Sequence, residues 1–171
     1  LDMMSLKEVF GTLNNLKIGI IGDIAHSRVA LSNIYGLKAM GAQVTLCGPP
    51  NLIPKNIEDM GVTVNYNIDE VIEWADALNV LRIQRERMGL DLIPSRREYR
   101  SKFGITKKRI LNHKKEIIIM HPGPINRGVE IDSVVADSDQ AIILDQVLNG
   151  VASRMAILYL FCGESPSKDT K

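Results

Sequence analysis

Arg28 and Arg82 are the residues of this sequence best suited to hold a small anion. Each follows a short apolar run of strand type, 17–21 and 77–81, and each stands in or beside a polar turn. A guanidinium grips a carboxylate with two parallel hydrogen bonds. Arg28 also falls in the first turn of a helical pattern, where a cation opposes the helix dipole unless a bound anion compensates it. If the extended chain continues past Leu81, then Arg82, Gln84 and Glu86 point to one side. On neighbouring strand ends the two arginines could take a dicarboxylate, one carboxylate each, with Gln84 bonded to a group between them. An ordinary surface arginine at Arg28 and an Arg-Glu-Arg salt-bridge surface over 82–87 are plainer readings, and the local sequence leaves them open.

A third stretch, His121-Pro122-Gly123-Pro124, ends another apolar run. Its two prolines remove N–H donors and stiffen the turn. What they leave exposed is a run of carbonyl oxygens, suited to an N–H-rich group such as a carbamoyl NH2. A plain turn after a strand is the alternative. No Ser-His-Asp or Cys-His arrangement stands at these ends, so covalent catalysis is not indicated. Positioning and electrostatics are. The glycines around Gly22 do not form G-x-G-x-x-G, which speaks against a nicotinamide enzyme. His26, His113 and His121 have no metal-ligand spacing with one another or with the cysteines, so no metal site is expected.

These residues need elements to position them. Strands are expected at 17–21, 43–47, 62–65, 77–81 and 116–120, from apolar runs bounded by Gly, Pro and Asn. Helices are expected at 1–13, 28–40, 54–60, 68–74, 98–103, 107–113 and 140–161. Ala30, Ile34 and Leu37 give the second its apolar face, and Thr106 caps the sixth. The alternation predicts an α/β fold of three α/β/α layers around a mostly parallel five-stranded sheet. The expected order is 3-2-1-4-5, with the switch point beside the first strand. Ligands bind at the carboxyl ends of such strands. The turn at 22–28, the stretch 82–87 and the turn at 121–128 should therefore lie together. The long polar stretch 82–95 reads as a lid.

Composition sets wider limits. The chain has 171 residues, 45% of them hydrophobic, with a net charge of +1. That suits one sizeable core and argues against disorder or binding of nucleic acid by the whole chain. Twelve of the 21 Lys and Arg fall within 82–115, against three acids, which reads as a solvated basic surface or a rim for small anions. No apolar run approaches the ~20 residues of a membrane span, and no signal peptide is recognisable. Cys47 and Cys162 are too few for a disulfide framework. They read as buried or partly buried free thiols, fitting a reducing, cytoplasmic setting.

Five stretches together resemble the aspartate carbamoyltransferase family. They are Gly22-Asp-Ile-Ala-His-Ser-Arg-Val-Ala30, Leu46-Cys-Gly-Pro-Pro50, Leu81-Arg-Ile-Gln-Arg-Glu-Arg87, His121-Pro-Gly-Pro-Ile-Asn-Arg-Gly128 and Gln146-Val-Leu-Asn-Gly-Val-Ala152. The related ornithine enzymes usually show His-Cys-Leu-Pro where this chain has His121-Pro-Gly-Pro, which favours aspartate. The resemblance implies transfer of a carbamoyl group from carbamoyl phosphate to the amino group of L-aspartate, in pyrimidine synthesis and without a cofactor. It implies that Arg28 and Arg82 bind the aspartate carboxylates and that Gln84 assists near the amino group. The backbone of Pro122, Gly123 and Pro124 would hold carbamoyl phosphate.

Members of the family have two domains, and the resemblance makes this chain the second, aspartate-binding one. The Ser-Thr-Arg-Thr phosphate loop, the His-Pro-x-Gln motif and the lysine loop lent by a neighbouring subunit do not occur in this sequence. Residues 1–14 would form the interdomain helix and 15–139 the aspartate-binding domain. Residues 140–163 would form a helix that packs on the other domain, and 164–171 a polar tail. Leu6, Val9, Phe10, Val147, Val151, Met155 and Leu158 could then be left as an apolar patch. The expected partners are L-aspartate, carbamoyl phosphate, the other domain and, for complete catalytic chains, two further copies that make up a homotrimer. A non-catalytic binding or scaffold module of the same fold is the alternative of a different class.

Overall fold

A computed structural model describes residues 1–83, 95–113 and 116–162. Its centre is a parallel sheet of five strands: β1 (Lys17–Ile21), β2 (Gln43–Cys47), β3 (Thr63–Val64), β4 (Ala77–Val80) and β5 (Ile118–Met120). Their order is β3-β2-β1-β4-β5, with the predicted switch beside β1. The register pairs Ile20 with Leu46 on one side and with Asn79 on the other. The helices are α1 (Asp2–Phe10), α2 (Arg28–Ala39), α3 (Ile68–Trp74), α4 (Arg96–Phe103), α5 (Lys107–Leu111), α6 (Ser133–Ala136) and α7 (Ile143–Cys162).

The strand period of two divides the core into the layers. Ile18 and Ile20 of β1 join Val44 and Leu46 against Leu6 of α1 and Ala30, Ile34 and Leu37 of α2. Ile21, Leu78, Val80 and Ile119 face Val71 and Ile72 of α3, Tyr99 and Phe103 of α4, and Val135 of α6. Each fully buried aliphatic side chain contributes about 1.5–3 kcal/mol relative to exposure. Ser27 caps α2, its Oγ accepting from Ala30 N–H at 3.1 Å. Thr106 caps α5 as expected.

Several local expectations are corrected. The expected helix at 54–60 is absent; a 3-10 turn, Ile57–Met60, entered through Asn56 at φ 59°, stands there instead, and another, Pro50–Leu52, precedes it. β5 and β3 are shorter than expected, and α6 was not anticipated. The last helix starts at Ile143, not 140, because its lead-in is extended alongside β5. Ile119 N–H donates to Gln140 O and Ile142 N–H to Ile119 O. Cys162 is exposed, not buried. Leu6 is fully buried and drops out of the expected apolar patch, and Phe10 is partly covered. Val9, Val147, Val151, Met155 and Leu158 are exposed.

Polar residues join the outer helices to the sheet. The buried Asp2 carboxylate accepts from Asn33 Nδ2 (2.6 Å), Asn79 Nδ2 (3.2 Å) and Gln146 Nε2 (2.9 Å). Asn149 Nδ2 donates to Ser5 Oγ at 2.9 Å and Glu8 Oε2 at 2.6 Å. A carboxylate removed from water is tolerable when several donors satisfy it, and here three amides do so.

Candidate functional site at three strand ends

The parallel order brings the carboxyl ends of β1, β4 and β5 to one edge. After β1, the Asp23 carboxylate shapes the turn, its Oδ1 accepting from His26 N–H at 3.1 Å and facing His26 Nδ1 at 2.9 Å. Arg28 is the first residue of α2 and is exposed. Its guanidinium thus stands at the first helical turn, whose leading N–H groups have no partner within the helix and where Ser27 takes that of Ala30. The end of β2 presses on this turn. Gly22 N–H donates to Cys47 O at 2.8 Å, and a Cβ on Gly48 would lie 2.3 Å from Gly22 O. Only glycine allows that approach.

Beyond β4, Leu81 and Ile83 are buried and Arg82 between them is partly exposed. Gln84 lies outside the described residues, as does the stretch 84–94 of the expected lid. After β5, Pro122, Gly123 and Pro124 are exposed, and the Gly123–Pro124 peptide is cis. Gly123 has φ 64°, a conformation that favours glycine. Its N–H, the one donor the prolines leave in this triplet, turns inward to His121 Nδ1 at 2.9 Å. With that donor taken, the polar backbone groups left to the exposed triplet are its carbonyl oxygens.

Sequence reasoning missed the groups beneath these ends. Glu130 is completely buried, and its Oε1 accepts from Asn126 N–H at 2.6 Å and faces His121 Nε2 at 3.3 Å. Asn126 Nδ2 donates to Ile83 O at 3.2 Å, which ties the turn after β5 to the end of β4. Gln146 Oε1 accepts from His121 N–H at 2.9 Å. Both Asn126 and Gln146 fall within motif stretches, but a side-chain amide in a sequence gives no sign of its partner. Burial, and then the charge of Glu130, push the pKa of the Tyr99 phenol up. Arg127 is held away from the site by Asp137, with two bonds of 2.7 Å.

A cleft of about 750 Å³ opens elsewhere, between α3, α4 and α5. Neither arginine of the candidate site lines it, nor does the His121–Pro124 turn. Its charges are largely paired within the protein: Arg109 with Asp69, Arg100 with Asp132, His113 with Glu73. The strand ends are the better candidate, because there unlike recognition groups converge. Among the described residues no cluster of three or more His, Cys, Asp or Glu could hold a metal ion. No described helix is long and apolar enough to cross a membrane.

Residues 14–161 match the family described as aspartate/ornithine carbamoyltransferase, Asp/Orn binding domain. The aspartate carbamoyltransferase catalytic subunit of Christiangramia forsetii is 57% identical over 164 residues, covering 96% of this chain and 53% of that protein. That of Gemmatimonas aurantiaca is 55% identical over 166 residues, covering 97% and 52%. The catalytic subunit of M. Jannaschii aspartate transcarbamoylase superimposes with a TM-score of 0.78 at 30% identity, covering 95% of this chain and 55% of that one. Ornithine carbamoyltransferase from Pyrococcus furiosus shares the fold, with a TM-score of 0.77 at 23% identity, covering 96% and 55%. The chain spans about half the length of the curated relatives it matches. Its sheet order, its strand-end motifs and these matches agree: the chain belongs to the aspartate/ornithine carbamoyltransferase family, as its Asp/Orn-binding domain.

Proposed function

We propose that this chain supplies the aspartate-binding half of an aspartate carbamoyltransferase. The observation that carries the reading is the convergence, at one sheet edge, of two arginine-bearing strand ends and a turn that presents carbonyl oxygens. Arg28 and Arg82 each take one carboxylate of L-aspartate through their guanidinium forks. Gln84 bonds near the amino group. The carbonyls of Pro122, Gly123 and Pro124 take the carbamoyl NH2 of carbamoyl phosphate. The neutral amino nitrogen attacks the carbamoyl carbon, a C–N bond forms, the bond to the phosphate oxygen breaks, and phosphate leaves with the proton that the nitrogen gives up. This half fixes the approach of the two reactants, which is the entropic part of catalysis. The family match and the relatives' names favour this over a non-catalytic scaffold.

In the same reading, residues 1–14 and 140–163 pack against a carbamoyl phosphate domain, and complete catalytic chains form a cytoplasmic homotrimer engaged in pyrimidine synthesis without a cofactor. The exposed apolar residues of α7 support the first part. The test is to assemble this chain with the complementary half of a relative and measure carbamoyl-aspartate formation. Turnover that requires both halves is expected. A stable complex without turnover would refute the reading.

A further inference from the structure

We propose that Glu130 is the positioning residue of this site, acting through the tautomer of His121. This rests on the reading above for its consequence, though not for its geometry. A backbone N–H only donates, so the Gly123 N–H bond leaves His121 Nδ1 without a proton. The neutral ring then carries its proton on Nε2, which faces Glu130 Oε1 at 3.3 Å in a region where both side chains are fully buried. The same oxygen accepts from Asn126 N–H, on the returning limb of the turn. One carboxylate oxygen therefore clips both limbs of the turn, at His121 and at Asn126. Asn126 passes the constraint to Ile83, the neighbour of Arg82. Were the proton on Nδ1, the ring would repel Gly123 N–H, and the triplet would turn a donor outward where acceptors are needed. Glu130 touches no substrate in this account; it fixes which way Gly123 faces.

The test compares Glu130→Gln, which keeps an acceptor, with Glu130→Met, which keeps the shape and loses it. The tautomer is read from long-range proton–nitrogen correlations in this chain labelled at histidine nitrogen, with His121 assigned through His121→Gln. Wild type should show the proton on Nε2, and Glu130→Gln should keep it there. Glu130→Met should mix the tautomers. In the enzyme assembled with the complementary half, Glu130→Met should raise KM for carbamoyl phosphate about tenfold, the loss of roughly one buried hydrogen bond, while Glu130→Gln stays within about threefold of wild type. A proton on Nδ1 in wild type overturns the proposal. So does a Met variant that matches wild type in spectrum and KM, or a Gln variant that behaves like Met. If Glu130→Met does not fold, the wild-type and Gln spectra decide alone. If the assembled wild type has no turnover, the proposed function fails while the spectra still decide the role of Glu130.

Discussion

Replacing Gly48 with alanine should loosen the site from below. The added Cβ would lie 2.3 Å from Gly22 O, 3.3 Å from Gly22 C and 3.6 Å from Gly22 N. A comfortable carbon–oxygen approach is roughly 3.3 Å, so about 1 Å must be gained. Both partners are backbone, and no rotamer change supplies that distance. A shift of about 1 Å would also stretch the 2.8 Å bond from Gly22 N–H to Cys47 O beyond the range of a hydrogen bond. Overpacking costs about 1–3 kcal/mol and the weakened bond about 0.5–1.5 kcal/mol, giving a loss of about 1.5–4.5 kcal/mol. In a chain of this length each kcal/mol lowers Tm by about 2–4 °C, so a fall of roughly 3–18 °C is expected. Thermal and urea unfolding, both followed by far-UV circular dichroism, measure the fall in Tm and the loss of free energy. Gly11→Ala is the control: nothing lies near its Cβ position, and its φ of 74° alone should cost about 1–2 kcal/mol. A Gly48→Ala variant within 1 kcal/mol of wild type would refute the steric argument.

Arg82→Ala should weaken aspartate recognition by about 1.5–3 kcal/mol while leaving the unfolding midpoint nearly unchanged; kinetics of the assembled enzyme against aspartate check it. Burial raises the Cys47 thiol from 9.0 to about 12 and also raises Tyr99, so the folded chain holds protons that the unfolded chain releases. Stability is then full below pH 9 and falls above it, by at most about 1.4 kcal/mol per pH unit for each group, and Cys47→Ala should flatten the slope of urea midpoints. Cys162 should react readily with a thiol reagent at neutral pH and Cys47 only on unfolding, since one is exposed and the other buried. This chain without its complementary half should self-associate through Val147, Val151, Met155 and Leu158; a monodisperse monomer in sedimentation at several concentrations would contradict that.

The sheet was legible in the sequence because its signals are local. Apolar runs such as Lys17–Ile21 end at glycine or proline, and alternation with helical spacing fixes a parallel order. Arg82 and the proline turn were legible for the same reason, each standing directly after a run, and Arg28 because it opens the helical pattern that follows one. What escaped depends on distant partners. Gln140 to Ile142 carry nothing against a helix; β5 captures them because Ile119 offers an edge to pair with. Asp2 looks like an ordinary first-turn acid, yet it gathers amides from positions 33, 79 and 146. Glu130 reads as surface charge until the fold closes over it. Polar residues give such networks away only through tertiary neighbours, and residue type alone assigns them to solvent.

Helix α7 is fastened at one end. Gln146 and Asn149 lie one turn apart and are bonded to Asp2, His121, Ser5 and Glu8. Leucine contacts would let a helix slide or roll a little, whereas these amide bonds each specify a single residue. From Asn149 to Cys162 the helix runs on for roughly 20 Å at 1.5 Å per residue. It behaves as a lever pivoted at its buried turn. A tilt of about 5° at Asn149 carries Cys162 through nearly 2 Å, at the helix rise just given. A tilt imposed at the far end would be felt at the pivot by Gln146 and, through its bond, by the backbone of His121, so that the strand-end turn and the tip of α7 stand at the two ends of one lever.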